Sequence, residues 1–312
     1  MRISPPRRGA LLGAMAAALV LAGCGVGAAP SAVQLLVTRD FGARVVRSTG
    51  ALQSHESKTV LGLLMRHDAV RTAPAAHSVQ SIDGFSAGLQ DGEPVSWLYY
   101  VNGVLAPKGA AVTSVRGGDH IWWDLHDASR AKSPPAVVGS FPEPFLNGIE
   151  GKRLPVRIEC SSASGYACRT VISRLRALRV PAAVAAIGSG AAPETLRVMV
   201  APWSQLEASI AQSLERSPSV SGVYARFSAR GSQLTLLNED GEAAQSLSAS
   251  AGLIAATRQP EEAPVWLITG TDGAGVDRAA DALDQATLQH RFAVALGPAG
   301  AVALPAPGSG TL

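Results

Sequence analysis

Alternating apolar and polar positions dominate the chain from residue 32 to residue 127 and predict a sheet with one helix. Residues 32–39 carry apolar side chains at every second position, the period of a strand with one buried face. Residues 59–66 have helical character, and Ser57 ahead of them is a suitable N-cap. Asn102-Gly103 between apolar runs predicts a tight hairpin, because both turn positions need positive φ. The other strands predicted here are residues 42–48, 78–82, 95–101 and 119–126.

The chain beyond residue 152 alternates short apolar runs with longer segments of helical period. Such alternation is typical of an α/β domain with a mainly parallel sheet. The predicted strands are residues 154–159, 182–187, 196–201, 265–269 and 292–296, with a hairpin formed by 222–228 and 233–237. The predicted helices are residues 167–178, 203–214 and 275–288.

Proline clusters between these two halves disfavour helix and sheet interiors and mark a connector, from Pro134-Pro135 to Pro144. A chain of this length fits two domains of ordinary size. The predicted division is a signal peptide at 1–23, a lipidated tether at 24–32, a first domain at 33–128, a proline-rich linker at 129–151, an α/β domain at 152–306 and a tail at 307–312.

The start of the chain has the three parts of a bacterial export signal. Three arginines precede residue 9, residues 10–21 form an apolar run, and Leu21-Ala22-Gly23-Cys24 follows. The last four residues resemble the bacterial lipobox, which implies that the Cys24 thiol carries a lipid and holds the protein on the extracytoplasmic face of the cell membrane. An ordinary secreted protein with a chance cysteine is the alternative, and the general secretory and twin-arginine routes both stay open.

Charge and cysteine usage fit an exported protein. The chain has 27 Lys and Arg against 24 Asp and Glu, and without the three signal-peptide arginines the counts are 24 and 24. A neutral mature chain gives no reason to expect a nucleic acid partner. Cys160 and Cys168 remain as a closely spaced pair, which predicts a disulfide in an oxidising compartment. A redox or metal-binding pair is the alternative.

Four short segments of the first domain carry a resemblance to a known family. They read Ser-Ile-Asp-Gly at 81–84, Trp-Leu-Tyr-Tyr-Val-Asn-Gly at 97–103, Gly109, and Gly-Gly-Asp-His-Ile-Trp-Trp at 117–123. Together they resemble the transcobalamin-like C-terminal domain, catalogued in bacteria as a domain of unknown function. The resemblance implies an α+β, β-grasp-like fold over residues 33–128. It also implies contact with a ligand, since the related domain of animal cobalamin carriers covers one face of the corrinoid.

The residues themselves also predict a contact surface in this domain. Alternate side chains of the strand at 119–127 share a face, so His120, Trp122, Asp124 and His126 lie together on a polar face that includes a large aromatic ring, whereas Trp123 belongs to the opposite, core face. Exposed aromatic rings with a polar atom are typical of contact surfaces. The alternative is that the rings fill a small core. The candidate ligand-binding residues are Trp97, Tyr99, Tyr100, His120, Trp122, Asp124 and His126.

The sequence gives only weak signals for a metal site, an anion site or a catalytic site. His120 and His126 would lie about 20 Å apart along a strand, too far to share an ion, and no metal site is predicted. A second candidate is the loop Gly270-Thr271-Asp272-Gly273, whose backbone N–H groups could face an anion, although Asp272 could instead cap the following helix. No nucleophile elbow is predicted, because Gly84-Phe85-Ser86-Ala87-Gly88 has the GxSxG spacing but no predicted helix follows it. The sequence holds no HExxH and no Walker motif.

These observations predict a lipid-anchored, extracytoplasmic binding protein that is not an enzyme and requires no cofactor. It would present a small ligand to a membrane transporter, and cobalamin is the ligand that the resemblance implies. The alternatives are an adaptor that binds another envelope protein through its β-grasp face, and a hydrolase of envelope material. A concave pocket, a broad apolar patch and a perturbed catalytic group would distinguish the three.

Overall fold

The computed structural model describes residues 1, 32–73, 78–90, 92–127, 134–206, 208–215, 218–248 and 250–308. The predicted signal peptide and Cys24 lie outside these residues.

The fold is mixed α/β, with mostly β-structure and few helices. The strands are β1 (Ala32–Arg39), β2 (Arg44–Gln53), β3 (Val70–Thr72), β4 (Val79–Ile82), β5 (Phe85–Ser86), β6 (Gly88–Gln90), β7 (Glu93–Val101), β8 (Val104–Leu105), β9 (His120–Asp127), β10 (Val156–Cys160), β11 (Ala182–Ala186), β12 (Leu196–Pro202), β13 (Ala225–Phe227), β14 (Leu234–Leu237), β15 (Ala243–Leu247), β16 (Gly252–Thr257), β17 (Val265–Gly270), β18 (Ala293–Gly297) and β19 (Gly300–Leu304). The helices are α1 (Val60–His67), α2 (Tyr166–Ala177), α3 (Ala208–Glu215), α4 (Pro218–Ser221), α5 (Gly273–Asp281) and α6 (Gln285–Leu288).

The N-terminal sheet has the order β2-β1-β9-β7-β6, with β8 paired to β7. Strand β1 runs parallel to β9, and the β1–β2 and β7–β9 pairs are antiparallel.

Helix α1 covers one face of this sheet. Strand β1 directs Val33, Leu35 and Val37 to that face, because residues two apart in a strand share a side. Leu63 and Leu64 of α1 are fully buried in the same cluster. The small antiparallel sheet β3-β4-β5 completes the N-terminal half. Within the described residues of this half, the predicted strands and the predicted helix are present, and the short strands β3, β5 and β6 are additional. The β-grasp assignment stays a prediction.

Local turn chemistry explains several of these boundaries. Asn102 and Gly103 join β7 to β8 with φ of 54° and 76°, the left-handed values that this tight turn needs. Helix α1 begins one residue later than predicted, since its N-cap is Thr59, whose hydroxyl accepts a hydrogen bond from the Gly62 N–H at 3.2 Å. The predicted cap, Ser57, instead accepts a hydrogen bond from the Thr59 N–H.

The C-terminal sheet has the order β11-β10-β12-β17-β16-β18-β19. The first four strands are parallel to one another, whereas β16, β18 and β19 join in antiparallel pairs. The expectation of a mainly parallel sheet therefore describes only one half of it, because the additional strand β16 lies between β17 and β18 and reverses the direction. A separate antiparallel sheet, β13-β14-β15, contains the predicted hairpin.

Two of the predicted C-terminal helices are interrupted. The segment 203–214 divides into a 3-10 turn, Trp203–Gln205, and helix α3. The segment 275–288 divides into α5 and α6, because Asp284 starts a new helix by accepting a hydrogen bond from the Thr287 N–H at 2.8 Å.

The predicted disulfide is present between Cys160 and Cys168, whose Cα atoms are 6.0 Å apart. It joins the end of β10 to the first turn of α2, so it attaches that helix to the sheet. No helix within the described residues has the length and apolar character needed to cross a membrane.

The two halves share one hydrophobic core. Leu36, Tyr100 and Trp122, on the face of the N-terminal sheet opposite α1, pack in one cluster with Phe292 and Tyr224 of the C-terminal half.

The described part of the predicted linker, 134–151, is packed as well. Val137 joins the shared cluster, and Val138 joins the core of the C-terminal sheet. The division into separate domains thus stays a prediction, and residues 134–151 form a packed layer between the halves.

Candidate functional site

The polar face predicted on β9 is not open to solvent. Trp122 and Tyr100 are both 0% exposed. The Trp122 ring lies 5.1 Å from the ring of Phe292, and Phe41 stacks on His126 at 4.3 Å. The interpretation of this face as an exposed contact surface is therefore wrong, because the C-terminal half covers it.

The polar atoms of this face are used inside the protein. The Asp124 carboxylate accepts hydrogen bonds from the Thr38 hydroxyl at 2.7 Å and from the Phe41 and Gly42 N–H groups at 3.1 and 2.9 Å. It also lies 3.0 Å from Nδ1 of His126. Burying a carboxylate without hydrogen-bond partners would be strongly unfavourable, and the four partners of Asp124 offset that cost. We therefore assign Asp124 a structural role.

The glycine-rich loop at 270–273 also has a structural role. Asp272 caps α5, where its carboxylate accepts a hydrogen bond from the Gly275 N–H at 2.8 Å, and the Ser250 N–H donates to its second oxygen at 2.8 Å. The negative charge already occupies the helix N-terminus that an anion would need. Asp272 is therefore a helix cap, as the alternative interpretation stated. This arrangement leaves no open anion site beside Gly270, Thr271 and Gly273.

An open cleft lies on the other side of the N-terminal sheet, between β7 and the small sheet β3-β4-β5. Its volume is about 740 Å³. We call it the aromatic cleft, and the residues that line it are Arg71, Ser78, Val79, Gln80, Ser81, Ser86, Ala87, Gly88, Ser96, Trp97, Tyr99, Gly109, Ala110 and Trp123.

Three aromatic rings form the apolar part of the aromatic cleft. Tyr99 and Trp123 stack with ring centroids 4.7 Å apart, on neighbouring strands where they are direct register partners. Trp97 donates its indole N–H to the Phe85 carbonyl at 3.2 Å, which holds the ring against β5. Trp97 and Tyr99, both predicted as ligand-binding residues, are brought together here, and Trp123, which the sequence pattern places in the core, joins them.

Hydrogen bonds fix Tyr99 but leave Trp123 with an unused donor. The Tyr99 hydroxyl donates to the Lys108 carbonyl and lies 2.8 Å from the Thr113 hydroxyl. Burial raises the pKa of Tyr99, and the Thr113 contact opposes this rise. The buried Nε1 of Trp123 has no acceptor among the described residues. Native proteins rarely leave such a donor unsatisfied.

Polar side chains surround the aromatic rings. Ser81 is buried, Ser86 and Gln80 are exposed, and all three line the aromatic cleft. Arg71 supplies the one charged side chain among the described lining residues. Ser81 belongs to a segment that carries the family resemblance, but no sequence pattern singles out Arg71, Gln80 or Ser86 as lining residues, because β3, β4 and β5 are only two to four residues long and show little periodicity.

His120 lies apart from the aromatic cleft. Its ring faces a second cavity between the two halves, where Nδ1 is 2.8 Å from the Ser140 hydroxyl. The seven predicted ligand-binding residues are thus distributed over three places: the aromatic cleft, the shared core and this second cavity. The described residues contain no group of three or more His, Cys, Asp or Glu side chains arranged to hold a metal ion.

A known family matches the part of the chain that contains the aromatic cleft. Residues 57–127 match the family DUF4430, a domain of unknown function. Every residue that lines the aromatic cleft lies inside this DUF4430 segment. The match agrees with the resemblance drawn from the sequence, and it leaves the C-terminal half unassigned.

The other comparisons add little. A solved structure of a proposed metal binding protein from Ruminococcus gnavus matches with 15% identity, over 31% of this chain and 97% of that chain, with a TM-score of 0.26. A score at this level supports no inference about fold or function. No curated protein matches the chain significantly.

Proposed function

We propose that this protein is an extracytoplasmic binding protein that takes a small organic molecule into the aromatic cleft of its DUF4430 segment. The observation that carries the proposal is a cleft of about 740 Å³ whose wall combines the aromatic residues Trp97, Tyr99 and Trp123 with serine hydroxyls and one arginine. Small-molecule sites are typically concave, about 300–1,000 Å³ in volume, and apolar with a few polar groups that orient the ligand.

The lining favours a ligand with two chemical parts. The rings of Trp97, Tyr99 and Trp123 suit a flat or branched apolar portion, because aromatic side chains bury a large apolar area at a low cost in side-chain entropy. The hydroxyl groups of Ser81 and Ser86 suit peripheral amide or carbonyl groups. Arg71 would favour an acceptor or an anionic group at the rim.

Cobalamin is the ligand to test first. The resemblance to the transcobalamin-like domain implies a corrinoid, and a corrin ring with methyl and amide substituents presents both chemical parts. In this proposal the lipidated Cys24 would hold the protein at the membrane, and its ligand would be passed to a transporter. Binding without catalysis is part of the proposal. The adaptor and the envelope hydrolase are the competing functions.

Calorimetry with cobalamin tests the proposal on residues 25–312. Saturable binding should be lost in Ser86→Phe, because the added ring would fill the aromatic cleft, and weakened in Arg71→Ala. Ser246→Phe is the matched control, since Ser246 is also an exposed strand serine but lies on β15, outside the aromatic cleft. Equal binding by both phenylalanine variants would remove the aromatic cleft as the site. Absence of binding by the unaltered protein would end the corrinoid proposal and favour the adaptor.

A further inference from the structure

A second cavity lies where the two halves meet. Its volume is about 440 Å³. We call it the seam cavity. Strands β1 and β2 form one side, the packed segment 139–147 forms a second, and α6 with the residues that follow it forms the third. Ligand sites occur preferentially at such junctions between folded units.

The seam cavity is lined by side chains that both donate and accept hydrogen bonds. Amides and hydroxyls have this dual character, whereas ammonium and guanidinium groups only donate. The dual side chains in its lining are Gln34, Ser48, Thr49, Ser140, Asn147, Gln285 and Gln289. No Lys or Arg belongs to the described lining. An anion would therefore find no cationic partner.

The charged groups of the lining are also unsuited to a cation. Glu143 is the only carboxylate in the described lining, and both of its oxygens are engaged by Asn147, through the backbone N–H at 2.9 Å and through the side-chain amide. Phe141 adds a mostly buried aromatic ring nearby. The wall thus offers neutral hydrogen-bonding groups beside one apolar surface.

The titratable groups of the seam cavity are shifted towards their neutral forms. Burial lowers the pKa of His120 to about 4, with a further lowering from nearby His290, and burial also lowers the pKa of His290. Burial raises the pKa of Glu143 to about 7. The same environment that disfavours charge on these side chains would disfavour a charged ligand.

The contact between Ser140 and His120 does not make a hydrolase site. No carboxylate among the described residues hydrogen-bonds the second ring nitrogen of His120, so the ring lacks the orienting partner of a serine nucleophile. An imidazole with a pKa of about 4 is also a weak base at neutral pH. The pair instead presents one more neutral donor and acceptor.

We propose that the seam cavity is a second binding site, for an uncharged polyhydroxyl compound of monosaccharide size. Each ligand hydroxyl donates and accepts, which matches the amides and hydroxyls of the lining, among them Gln34, Gln285 and Gln289. The side chains of these three glutamines make no hydrogen bond with other described residues and are exposed, so they are available to a ligand. The site is independent of the aromatic cleft and stands even if the cleft binds nothing.

Ligand-observed saturation-transfer NMR on residues 25–312 tests this site, with D-glucose, D-galactose, D-mannose and myo-inositol as probes. At least one should show saturable binding. The double variant Gln285→Ala/Gln289→Ala should weaken it roughly tenfold or more, because two neutral hydrogen bonds are lost. Both side chains are exposed, so the variant should fold normally, and a thermal melt checks this. Gln245→Ala is the control, an exposed glutamine on β15.

Three results would overturn the inference. The first is no saturable binding of any of the four probes at millimolar concentrations. The second is unchanged affinity in the folded double variant. The third is tighter binding of glucose 6-phosphate than of glucose, since a wall without Lys or Arg should penalise the phosphate.

Discussion

Replacing Phe292 by alanine should destabilise both halves of the protein together. Phe292 is 1% exposed, and its ring lies between 5.1 and 5.6 Å from the rings of Phe41, Tyr100, Trp122 and His126, all from the N-terminal half. Truncating a buried phenylalanine to alanine costs about 3–5 kcal/mol in the free energy of unfolding. Native stability is commonly about 5–15 kcal/mol, so the loss would be a large part of the total.

Urea unfolding followed by tryptophan fluorescence measures the total loss, and hydrogen exchange locates it. In Phe292→Ala, amide exchange should accelerate in β9 as well as in β18, because one core holds both strands. Val184→Ala is the control: this residue is 46% exposed on β11, and such surface changes usually shift stability by no more than about 0.5 kcal/mol. Unchanged exchange in β9, or two separate unfolding transitions in the unaltered protein, would refute the shared core.

Three further predictions concern single side chains. Burial raises the pKa of Glu143 from 4.5 to about 7, so the folded state holds the proton more tightly and stability should fall by at most about 3 kcal/mol as pH rises from 4.5 to 7. Glu143→Gln should remove that fall in urea unfolding at pH 5 and pH 8, and an unchanged pH slope would contradict the assignment. Asp272→Ala should lower the free energy of unfolding by about 0.5–2 kcal/mol, because α5 loses its cap, and chemical denaturation that detects no change would count against it. Cys24→Ala should move the protein from the membrane fraction to the soluble fraction, and continued membrane retention would argue against the lipid anchor.

Turn chemistry can be predicted from the sequence because it depends on neighbouring residues alone. Asn102 and Gly103 form the predicted hairpin, and Asp83 and Gly84 likewise turn between β4 and β5 with φ of 48° and 88°. Asp272 is recognisable as a candidate cap for the same local reason. The disulfide follows from cysteine spacing and the expected oxidising compartment.

Burial of the β9 polar face cannot be predicted from local sequence. His126 and Trp122 alternate with apolar residues as they would in a half-exposed strand, and the side chain that covers them, Phe292, lies about 170 positions away from Trp122 along the chain. Glycine makes the close packing possible: a Cβ at Gly139 would lie 2.8 Å from the Trp122 ring. The aromatic residues of this face pack inside the protein, and local sequence alone does not distinguish such a face from an exposed contact surface.

Strand β16 escapes prediction for a different reason. Its sequence, Gly-Leu-Ile-Ala-Ala-Thr at 252–257, is buried on both faces and so carries no alternation. Short apolar runs of this kind cannot be separated from buried helix by periodicity. Strand β16 takes part in two of the three antiparallel pairs of this sheet, and β19, which is also not predicted, forms the third. Omitting these two strands makes the predicted sheet mainly parallel.

The DUF4430 segment is not a portable module in this protein. Strand β1 precedes the matched residues 57–127, yet it pairs with β9 in the middle of the sheet. A fragment cut at the family boundaries would have an unpaired edge along β9, and it would expose Trp122 to water. Open edges and apolar patches of this kind promote aggregation and domain swapping. Attempts to express the ligand-binding part alone should therefore retain residues from Ala32 onward together with the C-terminal half.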